Sequence, residues 1–249
     1  MTGEAASSYY ERRLSSPEYR ASRRQKAALI YALCADRLER ASTVVDLGAG
    51  TGLILRELER LSGRPVVGFD IDRAFMEEAR RMAVADLLRL PIAEGGLEFG
   101  IANHVYEHVA DLDAFFAEIA RALAPGGAVY LTAGSKWAPI EPHYRIPTLS
   151  WWPEPVATRL LRWSGRGEAY DDIRFTTHGR LVEAAARHGL ALDDRTDEAL
   201  ATQLDRYQSV VGRLVGRAAR LVPGALRRKL LEVASPQWFF FVRHAGEVA

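Results

Sequence analysis

The sequence predicts an α/β protein built around a doubly wound sheet whose strands run mostly parallel. Three observations predict it. Short β-branched runs alternate with amphipathic stretches of about ten residues through residue 135. A glycine-rich loop joins the first run to the first helix. An aspartate closes the second run about twenty positions beyond that loop, at the strand end where open α/β sheets bind ligands.

The elements follow in order. Residues 9–40 read as one or two basic helices, in which Arg12, Arg13, Arg20, Arg23, Arg24 and Lys26 alternate with Tyr19, Ala27, Ile30 and Leu33. The basic side reads as a solvated face; the alternative is a lid in which Tyr9, Tyr10 or an early arginine touches a ligand carboxylate. Residues 43–47 are a buried strand. Residues 51–61 are helical, with Leu53, Ile54, Leu58 and Leu61 on one side. A second strand over 65–69, a second helix over 73–82 and a short third strand over 83–86 come next. Residues 98–103 form strand four, 112–123 a helix and 128–133 strand five, with Pro125-Gly126-Gly127 as the turn before it.

After Ser135 the pattern breaks. Residues 136–175 hold Trp137, Trp151, Trp152 and Trp163 together with Pro139, Pro142, Pro147, Pro153 and Pro155. A sheet interior does not accommodate so many prolines, so this segment reads as a cap. Residues 177–188 are again helical, closed by Gly189 as C-cap. Residues 190–196 read as strand six, 200–232 as basic helix broken at Pro223-Gly224, and 237–242 as a strong last strand.

Length and balance limit the class. The chain has 249 residues, which suits one α/β domain with additions better than two full domains. The expected organisation is one domain over 1–249: an N-terminal helical segment 1–40, core 41–135, cap 136–175, core 176–199, a helical insertion 200–232 and a final strand within 236–243. Net charge is +1, so no global field favours a nucleic acid. Cys34 is the only cysteine, so no disulfide forms within the chain, as in a reducing cytoplasm. The first eight residues are small and polar rather than a signal peptide, and no run approaches the ~18 apolar residues of a membrane span. A cytoplasmic monomer or homodimer with no transmembrane segment is expected.

The informative stretch is Val44-Val45-Asp46-Leu47-Gly48-Ala49-Gly50-Thr51-Gly52. Glycines let a backbone turn tightly and approach a ligand, and the helix that follows presents free N–H groups to it. Dinucleotide sites use G-x-G-x-x-G. Here the glycines run G-x-G-x-G, and Leu53 stands where the third dinucleotide glycine belongs. Asp46 precedes the loop by two residues; a carboxylate there repels a pyrophosphate and suits the cationic end of an amino acid. Asp70 is placed to accept two ribose hydroxyls, Ile71 to lie against an adenine, and Asp86, beside Leu87, to accept its amino group.

This ensemble resembles the class I S-adenosylmethionine-dependent methyltransferases of the small-molecule, methyltransferase type 11-like kind. Residues 46–52 match their first motif and 66–72 their second. Asp86-Leu87-Leu88-Arg89-Leu90-Pro91 is similar to the third, Ala102-Asn103-His104-Val105-Tyr106-Glu107-His108 to the fourth, and Pro125-Gly126-Gly127 to the turn before strand five. Leu97-Glu98 stands where the family usually has Phe-Asp, a conservative change. The likeness covers residues 40–135. It implies a Rossmann-like sheet of about seven strands with an antiparallel last strand, and S-adenosyl-L-methionine as cofactor, leaving as S-adenosyl-L-homocysteine. It implies cofactor contacts from Asp46, Gly48, Ala49, Gly50 and Gly52. Asp70, Ile71, Asp86, Leu87, Asn103 and His104 complete that set.

Other readings compete for the same residues. His104-Val105-Tyr106-Glu107-His108 also spells the H-x-x-E-H of zinc peptidases, which need both histidines on one helix face. The segment leaves a buried strand, so no metal is expected, and His104 and His108 read as structural or lining the pocket. Residues 210–232 set Arg213, Arg217, Arg220, Arg227, Arg228 and Lys229 against one acid, Glu232. That reads as a packed helix with a solvated basic face, the alternative being weak membrane contact.

Methyl transfer from a sulfonium asks the protein to align the acceptor and exclude water. An alcohol acceptor also needs a base, and histidine titrates in the useful range. His143, in Glu141-Pro142-His143-Tyr144-Arg145 just beyond strand five, is the chosen base. Glu141 would orient it and His108 assist, while Tyr144 and Arg145 would hold substrate; Trp151, Trp152 and Trp163 either form the core of the cap or stack on a substrate ring, Trp151 and Trp152 being the substrate candidates. The expected reaction is O-methylation of a small-molecule acceptor, a sugar or glycan intermediate. The alternatives are C- or N-methylation of a secondary metabolite or quinone-like lipid, or a non-catalytic cofactor-binding regulator. No N/D-P-P-Y/F tetrapeptide or separate basic domain supports a nucleic-acid substrate.

Overall fold

The structure is a computed structural model that describes residues 16–73, 80–206 and 222–247. The readings placed on Tyr9, Tyr10, the interior of the 73–82 helix and the basic stripe over 207–221 lie outside the described residues.

The elements are α1 (Pro17–Arg40), β1 (Val44–Leu47), α2 (Leu53–Ser62), β2 (Val66–Asp70), β3 (Met82–Val84) and β4 (Leu97–Asn103). They continue with a 3-10 turn (Tyr106–His108), α3 (Leu112–Ala122), β5 (Leu123–Gly134), a second 3-10 turn (Leu149–Trp151) and α4 (Glu154–Trp163). Last come α5 (His178–Arg187), β6 (Leu190–Asp194), α6 (Thr196–Arg206), α7 (Gly224–Ala234) and β7 (Gln237–His244). The seven strands make one sheet in the order β3-β2-β1-β4-β5-β7-β6. The pairs among β1 to β5 are parallel, and β7 runs antiparallel to both β5 and β6.

Strand alternation divides the core into two layers. Val129, Leu131 and Ala133 of β5 and Trp238, Phe240 and Val242 of β7 face Phe115, Phe116 and Ile119 of α3 and Leu181 of α5. Ala128 and Tyr130 with Phe239 and Phe241 face the other way, toward Ile30 and Leu38 of α1 and Leu55 and Leu58 of α2. The period of two in β5 and β7 is what lets one strand serve both layers. Each fully buried large side chain contributes roughly 1.5–3 kcal/mol. The helix caps follow their residue types. Asp111 accepts the N–H groups of Asp113 (2.9 Å) and Ala114 (3.1 Å) ahead of α3, an arrangement that stabilises by about 1 kcal/mol.

Three boundaries differ from the sequence reading. Met82 opens β3 rather than closing a helix, because it is registered opposite Gly68 of β2. Pro125-Gly126-Gly127 is not a turn ahead of β5 but lies inside it. Leu97 pairs with Leu123 and Phe99 with Ala128, so the chain bulges between the two pairings. Gly126 there has φ of +73°, and a Cβ on Gly127 would lie 2.7 Å from the Leu97 carbonyl oxygen. Strand six stops at Asp194, and Thr196 already begins α6.

The cap over 136–175 has its own small core of Leu149, Ala157, Leu161, Tyr170 and Ile173. It is tied to the sheet where Lys136 N–H donates to the Thr176 carbonyl (3.0 Å) and Arg174 N–H to the Glu107 carbonyl (2.7 Å).

Candidate functional site

A cleft of about 1150 Å³ opens at the carboxyl ends of β1, β2 and β4, between the sheet, the amino-terminal part of α1 and the cap. Its floor is the loop from β1 to α2. Gly48, Gly50 and Gly52 all have positive φ, +75°, +54° and +75°, the left-handed region that only glycine enters at no steric cost. Gly48 and Ala49 both donate to the Phe69 carbonyl (2.8 and 2.9 Å), which clamps the loop onto β2. A Cβ on Gly48 would meet Val105 at 2.6 Å, whereas the space over Gly50 is open for 4 Å. The loop is therefore packed beneath and bare above.

Three carboxylates line the cleft from successive strand ends. Asp46 is 3% exposed, and its Oδ2 is buried with no hydrogen-bond partner among the described residues. Burial, and then the charge of Asp70, push its carboxyl up to about 7. An unpaired buried carboxylate oxygen is a standing demand for a cationic or hydrogen-donating ligand. Asp70 accepts the Gly50 N–H at 2.7 Å on Oδ2 and the Asp72 N–H at 3.0 Å on Oδ1. Each oxygen keeps a lone pair for a ligand hydroxyl. Asp86 accepts the Leu88 N–H at 2.9 Å, and Ile71, 69% exposed, lines the same cleft.

The opposite end of the cleft is a histidine cluster. His104 has φ of +55°, and its backbone N–H donates to the Thr132 carbonyl (3.0 Å). Its Nδ1 lies 3.1 Å from Glu107 Oε1. Burial and the nearby Lys26 charge lower the His104 imidazole to about 4, despite the opposing pull of Glu107. The fully buried Glu107 is pushed up by burial, but the His104 hydrogen bond opposes this and the carboxyl lies below its ordinary value. His143 repeats the pairing from the cap, with Nδ1 2.7 Å from Oε1 of the buried Glu141. Glu141 also accepts the N–H groups of His143 (3.0 Å) and Tyr144 (2.6 Å). His108 lies edge-on to His143, ring centroids 5.0 Å apart, and burial and His143 lower its imidazole.

The structure brings Asp46, Gly48, Ala49, Gly50, Asp70, Ile71, Asp86, Leu87, Asn103, His104, His108, His143 and Arg145 to the wall of one cleft. Gly52 is set behind it as N-cap of α2, and Glu141 lies behind His143. Tyr144, Trp151 and Trp152 are not on that wall. Tyr144 packs on Tyr170 (centroids 6.1 Å) in the cap. Trp151 donates its indole N–H to the Ala138 carbonyl (2.9 Å), and Trp152 is half exposed. The H-x-x-E-H segment runs from a strand end into a 3-10 turn, so its histidines do not share a helix face. Among the described residues no three metal-binding side chains are grouped to hold an ion.

One wall was open to sequence reasoning only as the alternative of an early arginine touching a ligand. Tyr19, Ser22, Arg23 and Lys26 of α1 line the cleft, although Arg23 and Lys26 read as parts of a solvated face. Arg23 stacks on the Tyr19 ring at 4.3 Å, and its Nε is buried without a hydrogen-bond partner among the described residues. The spacing 19, 22, 23, 26 is one helix face, and an unbroken polar stripe on it was the available signal. Asp172 and Gln237, from distant segments, also reach the wall and leave no local trace in sequence.

The chain is similar to known proteins. Residues 19–194 match the family model described as a methyltransferase domain. A dimethylglycine N-methyltransferase of Parasynechococcus marenigrum is 29% identical over 217 residues, 75% of this chain and 77% of that protein. A ubiquinone biosynthesis O-methyltransferase of a Chelativorans species is 29% identical over 176 residues, 66% of this chain and 64% of that protein. The solved structure of geranyl diphosphate C-methyltransferase from Streptomyces coelicolor A3(2), in complex with Mg2+, geranyl diphosphate and S-adenosyl-L-homocysteine, shares the fold. Its TM-score is 0.50 at 19% identity, over 88% of this chain and 79% of that one.

Proposed function

This chain belongs to the class I S-adenosylmethionine-dependent methyltransferases and methylates a small molecule, and we propose that its acceptor is a hydroxyl of a sugar or small glycan intermediate, deprotonated by His143. The observation that carries the proposal is the 2.7 Å contact between His143 Nδ1 and the buried Glu141. A carboxylate on Nδ1 fixes the tautomer with its proton there, and Nε2 becomes the nitrogen that accepts a proton.

The residues fit the cofactor. Asp46 supplies the unpaired buried oxygen that an amino-acid ammonium needs, and Arg23 across the cleft supplies an unpaired N–H for its carboxylate. Asp70 takes the ribose hydroxyls, Asp86 the adenine amino group, and Ile71 covers the ring. Gly50 contributes bare backbone where a side chain would stand in the way. When bound, the cofactor supplies an electrophilic methyl for in-line displacement. The protein's part is to align the acceptor oxygen and take its proton. His143 receives that proton at Nε2, and Glu141 stabilises the resulting imidazolium. His104, neutral across the working range because burial holds it near 4, shapes the wall, and Arg145 at the mouth holds an acceptor oxygen.

Amine transfer is the second reading, favoured by the N-methyltransferase relative; an amine needs no histidine base. Purified protein incubated with S-adenosylmethionine and separate panels of hydroxylated sugars and amines decides between them, read as S-adenosylhomocysteine formed. Turnover of sugars that collapses in His143→Ala supports the proposal. Turnover of amines alone, indifferent to His143, sinks it. Cofactor binding with no turnover on either panel would favour a regulator.

A further inference from the structure

Four of the chain's five tryptophans fall within the forty residues of the cap. The fifth, Trp238, is wholly buried in the sheet. The cap's four are exposed by 44% (Trp137), 43% (Trp151), 50% (Trp152) and 88% (Trp163). Single exposed apolar residues are ordinary, but a contiguous patch edged by charge marks a contact surface.

The patch is contiguous. Trp137 and Trp151 meet edge to face with centroids 6.2 Å apart. On α4, Val156, Arg159 and Trp163 follow at spacings of three and four, one stripe on the side opposite the buried Ala157 and Leu161, and Trp152 stands just ahead of the helix. Ile140, 57% exposed and three residues beyond Trp137, lines the cleft.

The chemistry selects an occupant. Of the cap's four, Trp151 has its indole N–H bonded, to Ala138; among the described residues those of Trp137, Trp152 and Trp163 have no partner. Rings with an apolar body and an unpaired polar edge belong at the headgroup level of a bilayer. The charge is complementary to an anionic one. Over the cap, residues 136–175, the cations are Lys136, Arg145, Arg159, Arg162, Arg166 and Arg174, against four exposed carboxylates, Glu154, Glu168, Asp171 and Asp172, and the two cations beside the rings are Lys136 and Arg159. Lys136 lies over the Trp137 ring at 5.7 Å, so charge and ring point to the same layer. No described helix is long and apolar enough to cross a membrane, which leaves surface contact. We propose that this tryptophan face docks on an anionic bilayer surface and holds the cleft mouth against it.

Flotation of the purified chain with phosphatidylcholine vesicles, and with vesicles of phosphatidylcholine and phosphatidylglycerol in equal parts, tests this. The chain is expected to float with the mixed vesicles only. Arg159→Gln should weaken partitioning about fivefold, and the double variant Trp137→Ser/Trp163→Ser by at least about tenfold. Unchanged affinity of that variant for S-adenosylhomocysteine, by calorimetry, shows that it is folded; should it not fold, Arg159→Gln alone carries the test. Flotation unaffected by these variants overturns the proposal, as does binding to neutral vesicles equal to that to mixed ones. A dimer in sedimentation that the tryptophan variant dissolves, with no flotation, assigns the face to a second copy and overturns it too.

Discussion

The carboxylate of Glu141, itself inaccessible to solvent, lies 2.7 Å from Nδ1 of His143 and accepts the backbone N–H groups of both His143 and Tyr144. One side chain thus fixes the ring and the loop that carries it. Removing the ring should lower kcat by about a hundredfold or more, the range for a general base, while affinity for S-adenosylhomocysteine stays within about twofold. Glu141→Gln should lower kcat less, with KM for the acceptor unchanged. Steady-state kinetics on both variants checks this; a Glu141 effect confined to thermal stability would reduce that residue to a structural role.

Asp70 accepts a loop N–H through one oxygen and a turn N–H through the other. Asp70→Ala should weaken S-adenosylhomocysteine binding by roughly tenfold to a hundredfold, the worth of one or two hydrogen bonds to a charged group. Calorimetric titration measures it, and wild-type affinity in the variant would count against the cofactor pose.

Asp46 makes stability depend on pH with a definite sign. Its folded value of about 7 lies above its ordinary 3.8. A carboxyl raised in this way stabilises the fold fully below its unfolded value, and the contribution is lost as pH rises through the folded one. The cofactor-free chain should therefore lose stability between about pH 4 and about pH 7, by about 4 kcal/mol at most. Asp46→Asn should flatten that slope and melt higher than wild type at pH 8, yet bind cofactor more weakly. Binding near pH 7 should also release a proton, visible as a calorimetric enthalpy that changes with the buffer.

Gly48 is held by two independent constraints, its φ of +75° and the 2.6 Å approach of Val105. Gly48→Ala should destabilise by roughly 1–3 kcal/mol from backbone strain alone, plus a clash. Adding Val105→Ala should recover the clash and not the strain. Thermal unfolding of the single and double variants separates the two; complete recovery would show that the backbone was not strained.

Much of this was legible in sequence where local chemistry is self-sufficient. The β-branched runs of β1 and β2, the glycines at 48, 50 and 52 and the acids at 46, 70 and 86 are all placed by backbone conformation or strand-end position, which short spacings encode. The α1 wall was legible only as an alternative, because Arg23 and Lys26 have the composition of a solvated face and differ from one only by what the fold sets opposite them. The cap tryptophans misled for the complementary reason. Large aromatics suggest a pocket, but Leu149, Leu161, Tyr170 and Ile173 already fill the cap's interior and leave the indoles outside. The bulge at Pro125 depends on the register against Leu97, a pairing that no local pattern states.

The sheet order has a consequence for synthesis. β6 is hydrogen-bonded to β7 alone, and β7 is inserted between it and β5. On the ribosome, then, the first five strands can assemble as they emerge, but β5 presents an open edge until residues 237–244 have cleared the exit tunnel. For that interval the nascent chain carries an unpaired strand beside its most aromatic layer, the kind of edge on which other chains add. Translation that stalls over α6 or α7 would therefore yield an aggregating intermediate rather than a smaller folded protein.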